Sequence, residues 1–285
     1  MWVVAEPTDP KTPVAAPARE PNATLAWLAS GFDWLLAFPL ALFAEIGTLA
    51  RLTVETVLWA VRPPYRFGRL VDEMEFIGVQ SIAIVGLTGA SVGSVFSLQL
   101  VDGFRQFGAE NQTGSVIGVA LARELAPVFA SLMISARAGS SIATELGSMR
   151  VTSQIDALTT MSVSPVQYLV VPRVLAGILT APVMALLFNL IGLTGAYFVA
   201  VAIDGLDGGV FIERVTWFVD PIDLLQGLSK AAVFGFTLTM IACRQGYYAS
   251  GGAEGVGRAT NRAVVQSAVA ILVLDYVITS LFFVG

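Results

Sequence analysis

NQTGSVIGVALARELAPVFASLMISA, residues 111–136, holds two adjacent charges, Arg123 and Glu124, in the middle of a stretch that is otherwise uncharged. Without the pair it reads as a helix long enough to cross a hydrocarbon core about 30 Å thick. Ionisable groups at that depth are costly, and where they persist they face a bundle interior and mark a pathway or pair with one another. Two further apolar stretches carry one charge each: Lys230 between Leu224 and Cys243, and Asp275 between Ala263 and Gly285. Intramembrane charges of both signs imply a polar site inside a helical bundle. From the residues alone, structural pairing and a lining for a substrate path are both open.

Composition gives the same class. Hydrophobic residues make up 55% of the chain, charged residues 13%, and mean hydropathy is +0.75. A soluble domain carries roughly twice that charge. The net charge is -5 with no histidine, which argues against nucleic-acid binding and against imidazole-based metal or acid–base chemistry. The lone Cys243 has no partner for an internal disulfide.

Five spans are predicted over Phe76–Val101, Asn111–Ala136, Val174–Ile203, Leu224–Cys243 and Ala263–Phe283. The third is uncharged for 30 residues. That is ~45 Å of helix, so it must tilt, kink at Pro182 or project beyond the membrane. Residues 1–24, with Pro7, Pro10, Pro13, Pro17 and Pro21, read as a disordered tail without a signal-peptide pattern. Residues 25–75 form an interfacial segment. Within 25–61 the longest uncharged run, Trp34–Ala44, is too short to cross, which fits an interfacial or re-entrant helix better than a sixth span. Pro63-Pro64 ends it, and the amphipathic stretch Arg66–Glu75 leads into the membrane-spanning domain proper, 76–285. The fold class is therefore an all-α integral membrane protein of five transmembrane helices preceded by an amphipathic interfacial helix.

Arginines set the orientation. Arg62, Arg66, Arg69, Arg137, Arg150, Arg173, Arg244, Arg258 and Arg262 fall on one side, and only Arg105 and Arg214 on the other. The positive-inside rule makes the first side cytoplasmic, with the amino terminus, so the carboxyl terminus lies across the membrane. The far loop, Asp204 to Asp223, is acidic. In the cytoplasmic loop between spans two and three, Thr152 is placed to cap a short helix. Its apolar positions Ile155, Leu158 and Met161 recur at i, i+3, i+6 beside Gln154 and Asp156, and Pro165 stops it. Such a helix suits docking into the groove of a soluble motor, and an ordinary connector is the other reading. There is no G-x-x-x-x-G-K-[ST], so any ATP hydrolysis must belong to another chain. Gly89-Ala-Ser-Val-Gly93 is formally G-x-S-x-G, but inside a helix and without histidine it reads as a small-residue packing stripe, not a hydrolase elbow.

The run Arg123-Glu-Leu-Ala-Pro127, Ala136-Arg-Ala-Gly-Ser140, Glu145-Leu-Gly-Ser-Met-Arg150, Gln154-Ile-Asp-Ala-Leu158, Pro165 and Pro172-Arg173 resembles the MlaE/YrbE family of ABC-transporter permeases. Ser250-Gly-Gly-Ala-Glu-Gly-Val-Gly-Arg-Ala-Thr-Asn-Arg-Ala-Val264, followed by Asp275, is similar to the family's carboxyl-terminal signature. The resemblance covers roughly residues 60–285; Ser135-Ala136 stands where the family commonly has Ala-Gly.

That resemblance implies a permease subunit, not an enzyme, of the bacterial inner membrane that moves phospholipids or related lipids between membranes. It implies a homodimer with two copies of a cytoplasmic ABC ATPase that holds ATP-Mg, an MCE-domain lipid-binding protein on the far, periplasmic side, and in some systems a STAS-domain protein. Arg123, Glu124, Lys230 and Asp275 then belong to the lipid cavity or its supporting polar network. The segment Thr152, Gln154, Ile155, Asp156, Leu158 and Met161 becomes the coupling helix to the ATPase. The contrasting expectation is an ion- or proton-coupled secondary carrier using Glu124, Lys230 and Asp275 as a relay.

Overall fold

A computed structural model describes residues 44–284; the tail at 1–24 and the part of the interfacial segment before residue 44 lie outside the described residues. Among those residues there is no strand, and five helices are long and apolar enough to cross a membrane: Phe67–Arg105, Glu110–Val151, Val166–Ile203, Pro221–Tyr247 and Gly252–Phe282. They are called spans 1 to 5. Each predicted span lies within a longer helix. The first three contain 39, 42 and 38 residues, ~57–63 Å each, and so outreach the hydrocarbon by several turns. A helix satisfies its own backbone, so it continues through charged residues once they reach water or headgroups.

Span 3 runs between spans 1 and 4 and contacts both along its length. Close approach explains the small residues. A Cβ built on Gly93 would lie 1.9 Å from the Gly192 carbonyl oxygen, and one on Gly235 would lie 2.2 Å from that of Gly177. Gly89 and Gly93 of the formal G-x-S-x-G thus face the backbone of span 3, and the Ser91 hydroxyl donates to its own helix at Leu87 O, 2.8 Å away. The motif is a packing stripe.

Spans 2 and 3 contain π turns at Leu121–Leu125 and Val166–Val170. Pro127 and Pro172 follow them by the same two residues. Proline offers no N–H and crowds the carbonyl four residues back, so a wider turn just upstream relieves both. Pro182, by contrast, sits inside a helix that continues from Val171 to Phe198.

Residues 48–60 form a helix whose Leu52 and Thr56 are buried while Val54, Val57 and Leu58 face outward. Arg244 Nε at the end of span 4 donates to Thr48 Oγ1 over 2.8 Å. The predicted amphipathic stretch exists as Phe67–Ile77, joined to the rest of span 1 through a short 3-10 turn at Val79–Ser81.

The loop helix between spans 2 and 3 differs in detail from its expectation. It runs from Gln154 to Thr160, and Ser153, in the left-handed region at φ 59, precedes it. Thr152 is not its N-cap: it ends the preceding helix, and its hydroxyl donates back to Ser148 O. Nor does Pro165 stop the helix, which ends at Thr160; Pro165 instead precedes the first turn of span 3. A second difference concerns its faces. Ile155 is 1% exposed and Leu158 is half-buried, whereas Met161 is 72% exposed. The apolar stripe is split between the subunit's own core and its surface.

Candidate functional site

The π turn at Leu121–Leu125 displays Arg123 and Glu124 toward span 4, and each finds its own partner there. Arg123 pairs with Asp223 Oδ1, from Nε at 2.7 Å and Nη2 at 2.5 Å. Glu124 Oε2 accepts from Lys230 Nζ at 2.6 Å. Asp223 and Lys230 are two helical turns apart on one face of span 4, and Gly227 lies between them. A Cβ there would stand 2.0 Å from the Ala122 carbonyl oxygen. Gly227 therefore lets span 4 press against span 2 where the two charges emerge.

Span 5 completes the cluster. Lys230 Nζ also donates to Asp275 Oδ1 at 3.0 Å and Thr279 Oγ1 at 2.6 Å. Three acceptors satisfy all three donors of the ammonium, and Lys230 is only 2% exposed. Arg123 and Glu124 differ: their side chains are 35% and 37% exposed. The site thus has an interior, Lys230 with Asp275 and Thr279, and an accessible rim. Its two cations meet three carboxylates, so it carries no spare positive charge.

All four intramembrane charges singled out in the sequence converge here. Two partners were not found by sequence reasoning. Asp223 was counted with the acidic far loop, but it is buried in the first turn of span 4, where its second oxygen accepts from Asp220 N at 3.1 Å. Thr279 is uncharged and so left no signal, although it lies one turn beyond Asp275 on the same helix face.

A second charged cluster ties the opposite ends of spans 1, 2 and 3 together. Buried Arg173 forms ion pairs with Glu73 Oε1 at 3.0 Å and Glu145 Oε2 at 2.8 Å. Arg137 donates to Phe76 O at 2.6 Å, to Ser81 Oγ at 3.1 Å and to Gln80 Oε1. In the arginine count these residues were only loop charges; in the fold they are cross-links between helices. The loop helix contributes none of its residues to the intramembrane cluster. Its exposed residues Gln154, Ala157 and Met161 recur at i, i+3, i+7, and Asp156 pairs with Arg150 Nη1 at 2.7 Å. Among the described residues no group of acidic or cysteine side chains is arranged to hold a metal.

The described spans match known proteins over nearly their whole extent. A family model described as Permease MlaE covers residues 70–281. A "Probable ABC transporter permease protein" of Rickettsia bellii is 42% identical over 239 residues, 84% of this chain and 92% of the relative. The "Intermembrane phospholipid transport system permease protein MlaE" of Haemophilus influenzae is 37% identical over 76% of this chain and 84% of its own length. The Arabidopsis thaliana chloroplastic protein TRIGALACTOSYLDIACYLGLYCEROL 1 is 33% identical over 81% of this chain. An ion-coupled carrier and a hydrolase are both set aside by these matches, and the chain belongs to the MlaE family as the permease subunit of an ABC transporter, with ATP hydrolysis on a separate subunit.

Proposed function

We propose that this permease moves a phospholipid past the accessible rim formed by Arg123 and Glu124, while Lys230, Asp275 and Thr279 hold that rim in place. The observation that carries this is the contrast in exposure within one ionic network: Lys230 is saturated and enclosed, whereas the two residues from the π turn remain open. A phospholipid brings a charged headgroup and two apolar tails. The Arg123 guanidinium supplies unused N–H donors, and the surrounding spans supply an apolar wall. The name of the Haemophilus relative, an intermembrane phospholipid transport system permease, supports phospholipid as the cargo.

In the same reading the subunit lies in a bacterial inner membrane with its amino terminus cytoplasmic and its carboxyl terminus periplasmic, as the arginine distribution favours. It works as a homodimer, since one five-span subunit offers little room for a two-tailed lipid. The helix Gln154–Thr160 docks on the ABC ATPase, which carries ATP-Mg. A far-side MCE-domain protein, and in some systems a STAS-domain protein, complete the assembly.

Purification from native membranes followed by native mass spectrometry tests the assembly. The expected mass contains two permeases and two ATPase chains with bound phospholipid. A lone permease, or a permease without any nucleotide-binding partner, would contradict it.

A further inference from the structure

We infer that a second lipid site, separate from the intramembrane network, lies where spans 1 and 3 begin, and that it holds an anionic phospholipid of the phosphatidylglycerol class as a resident ligand. A small, open, largely apolar groove lies there between the segment Trp59–Leu70 and the first turns of span 3. Its inner wall is Leu70, Val171, Pro172 and Leu175, and its mouth carries Arg62 and Arg66. Among the described residues no carboxylate lines it. No carboxylate of the described residues lies within ion-pair distance of either arginine.

Stacking holds both guanidiniums. Arg62 lies over the Trp59 ring at 5.5 Å, and Arg66 over the Tyr168 ring at 4.4 Å. A stacked guanidinium keeps its edge N–H donors free while losing side-chain freedom in advance. Gln167 Nε2 donates to Arg62 O at 2.9 Å, which ties the mouth to span 3.

Depth decides what enters. Spans 1 and 3 start on the same side of the membrane, at Phe67 and Val166, two or more turns before their uncharged stretches begin at Phe76 and Val174, so their first turns lie outside the hydrocarbon on its polar side. Tyr65, Phe67 and Val71 are largely exposed there, as side chains at the lipid interface are. Two unpaired cations above an apolar wall match a phosphodiester above an acyl chain. A zwitterionic lipid would leave its own ammonium against the arginines, so the anionic class is selected.

Trp59 makes the site readable. The full chain with Trp2, Trp27, Trp34 and Trp217 replaced by Phe leaves Trp59 as its only tryptophan. It would be reconstituted into phosphatidylethanolamine vesicles containing increasing brominated-chain phosphatidylglycerol, with brominated-chain phosphatidylethanolamine as reference. Half-quenching by the anionic lipid is expected at a mole fraction roughly fivefold lower, about the surface attraction of one arginine. The preference should vanish in R62Q/R66Q and persist in R62K/R66K, which guards against a folding defect. Excess soluble glycerol phosphate should leave it unchanged. Equal quenching by the two lipids, a preference that survives R62Q/R66Q, or competition by glycerol phosphate would each overturn the site as a lipid site.

Discussion

Lys230 spends every donor it has on Glu124, Asp275 and Thr279, and that makes it an anchor instead of a headgroup contact. Removing its charge would leave two carboxylates facing each other across spans 2 and 5. Stranding a fully buried charge costs on the order of 3–5 kcal/mol, and the cost here is smaller because Glu124 and Asp275 are 37% and 22% exposed. Lys230→Met should therefore lower the yield of folded protein. The triple variant K230M/E124Q/D275N should recover much of that yield, because it removes the stranded charges together. Thermal unfolding in detergent reads both. If K230M were as stable as the parent, the anchoring role would fail. The sequence revealed that these charges lie within the spans, because long uncharged runs surround them, but not how they pair. Partners 45 and more than 100 positions apart meet only through helix packing. Asp223 was misplaced for a related reason: its charge ended the apolar run, although helix and burial both include it.

Helices were the most legible level, since the apolar run length needed to cross a bilayer leaves few alternatives. Their ends were not legible, because a helix outlasts the hydrocarbon and hydropathy does not. The loop helix Gln154–Thr160 shows a different limit. Its stripe of Ile155, Leu158 and Met161 was visible, but a stripe does not say which body it packs on. With Ile155 inside the subunit and Met161 outside, substitutions on the two faces should separate. Ile155→Asp should destabilise the permease itself by burying an unpaired carboxylate. Met161→Asp or Ala157→Arg should leave folding near normal and reduce ATPase copurification severalfold. Retention of the ATPase at parental stoichiometry in both surface variants would rule out this docking face.

For the whole molecule, backbone-level contacts join spans 1, 3 and 4 to one another and span 2 to span 4, and the last of these carries the charged rim. Gly93 against Gly192 and Gly235 against Gly177 lock spans 1, 3 and 4 at backbone contact, and the Arg173 and Arg137 cross-links fasten the ends of spans 1, 2 and 3. The charged rim instead sits on a π turn, a wider and less regular stretch of span 2, at its contact with span 4. An ATP-driven change at this contact would alter the rim directly, because Arg123 and Glu124 take their partners from span 4. Residue-level chemistry thus becomes a statement about nucleotide state.

The most direct measurement places a photoreactive amino acid at position 124 in the permease reconstituted with its ATPase, and a second at Leu190, an exposed position of span 3 away from the charged network. Captured phospholipid is then quantified with the ATPase nucleotide-free and with it trapped by vanadate. Position 124 should capture phospholipid in one state and severalfold less in the other, while position 190 captures equally in both. Absence of lipid at position 124, or capture there that ignores the nucleotide state, would contradict a lipid path along Arg123 and Glu124.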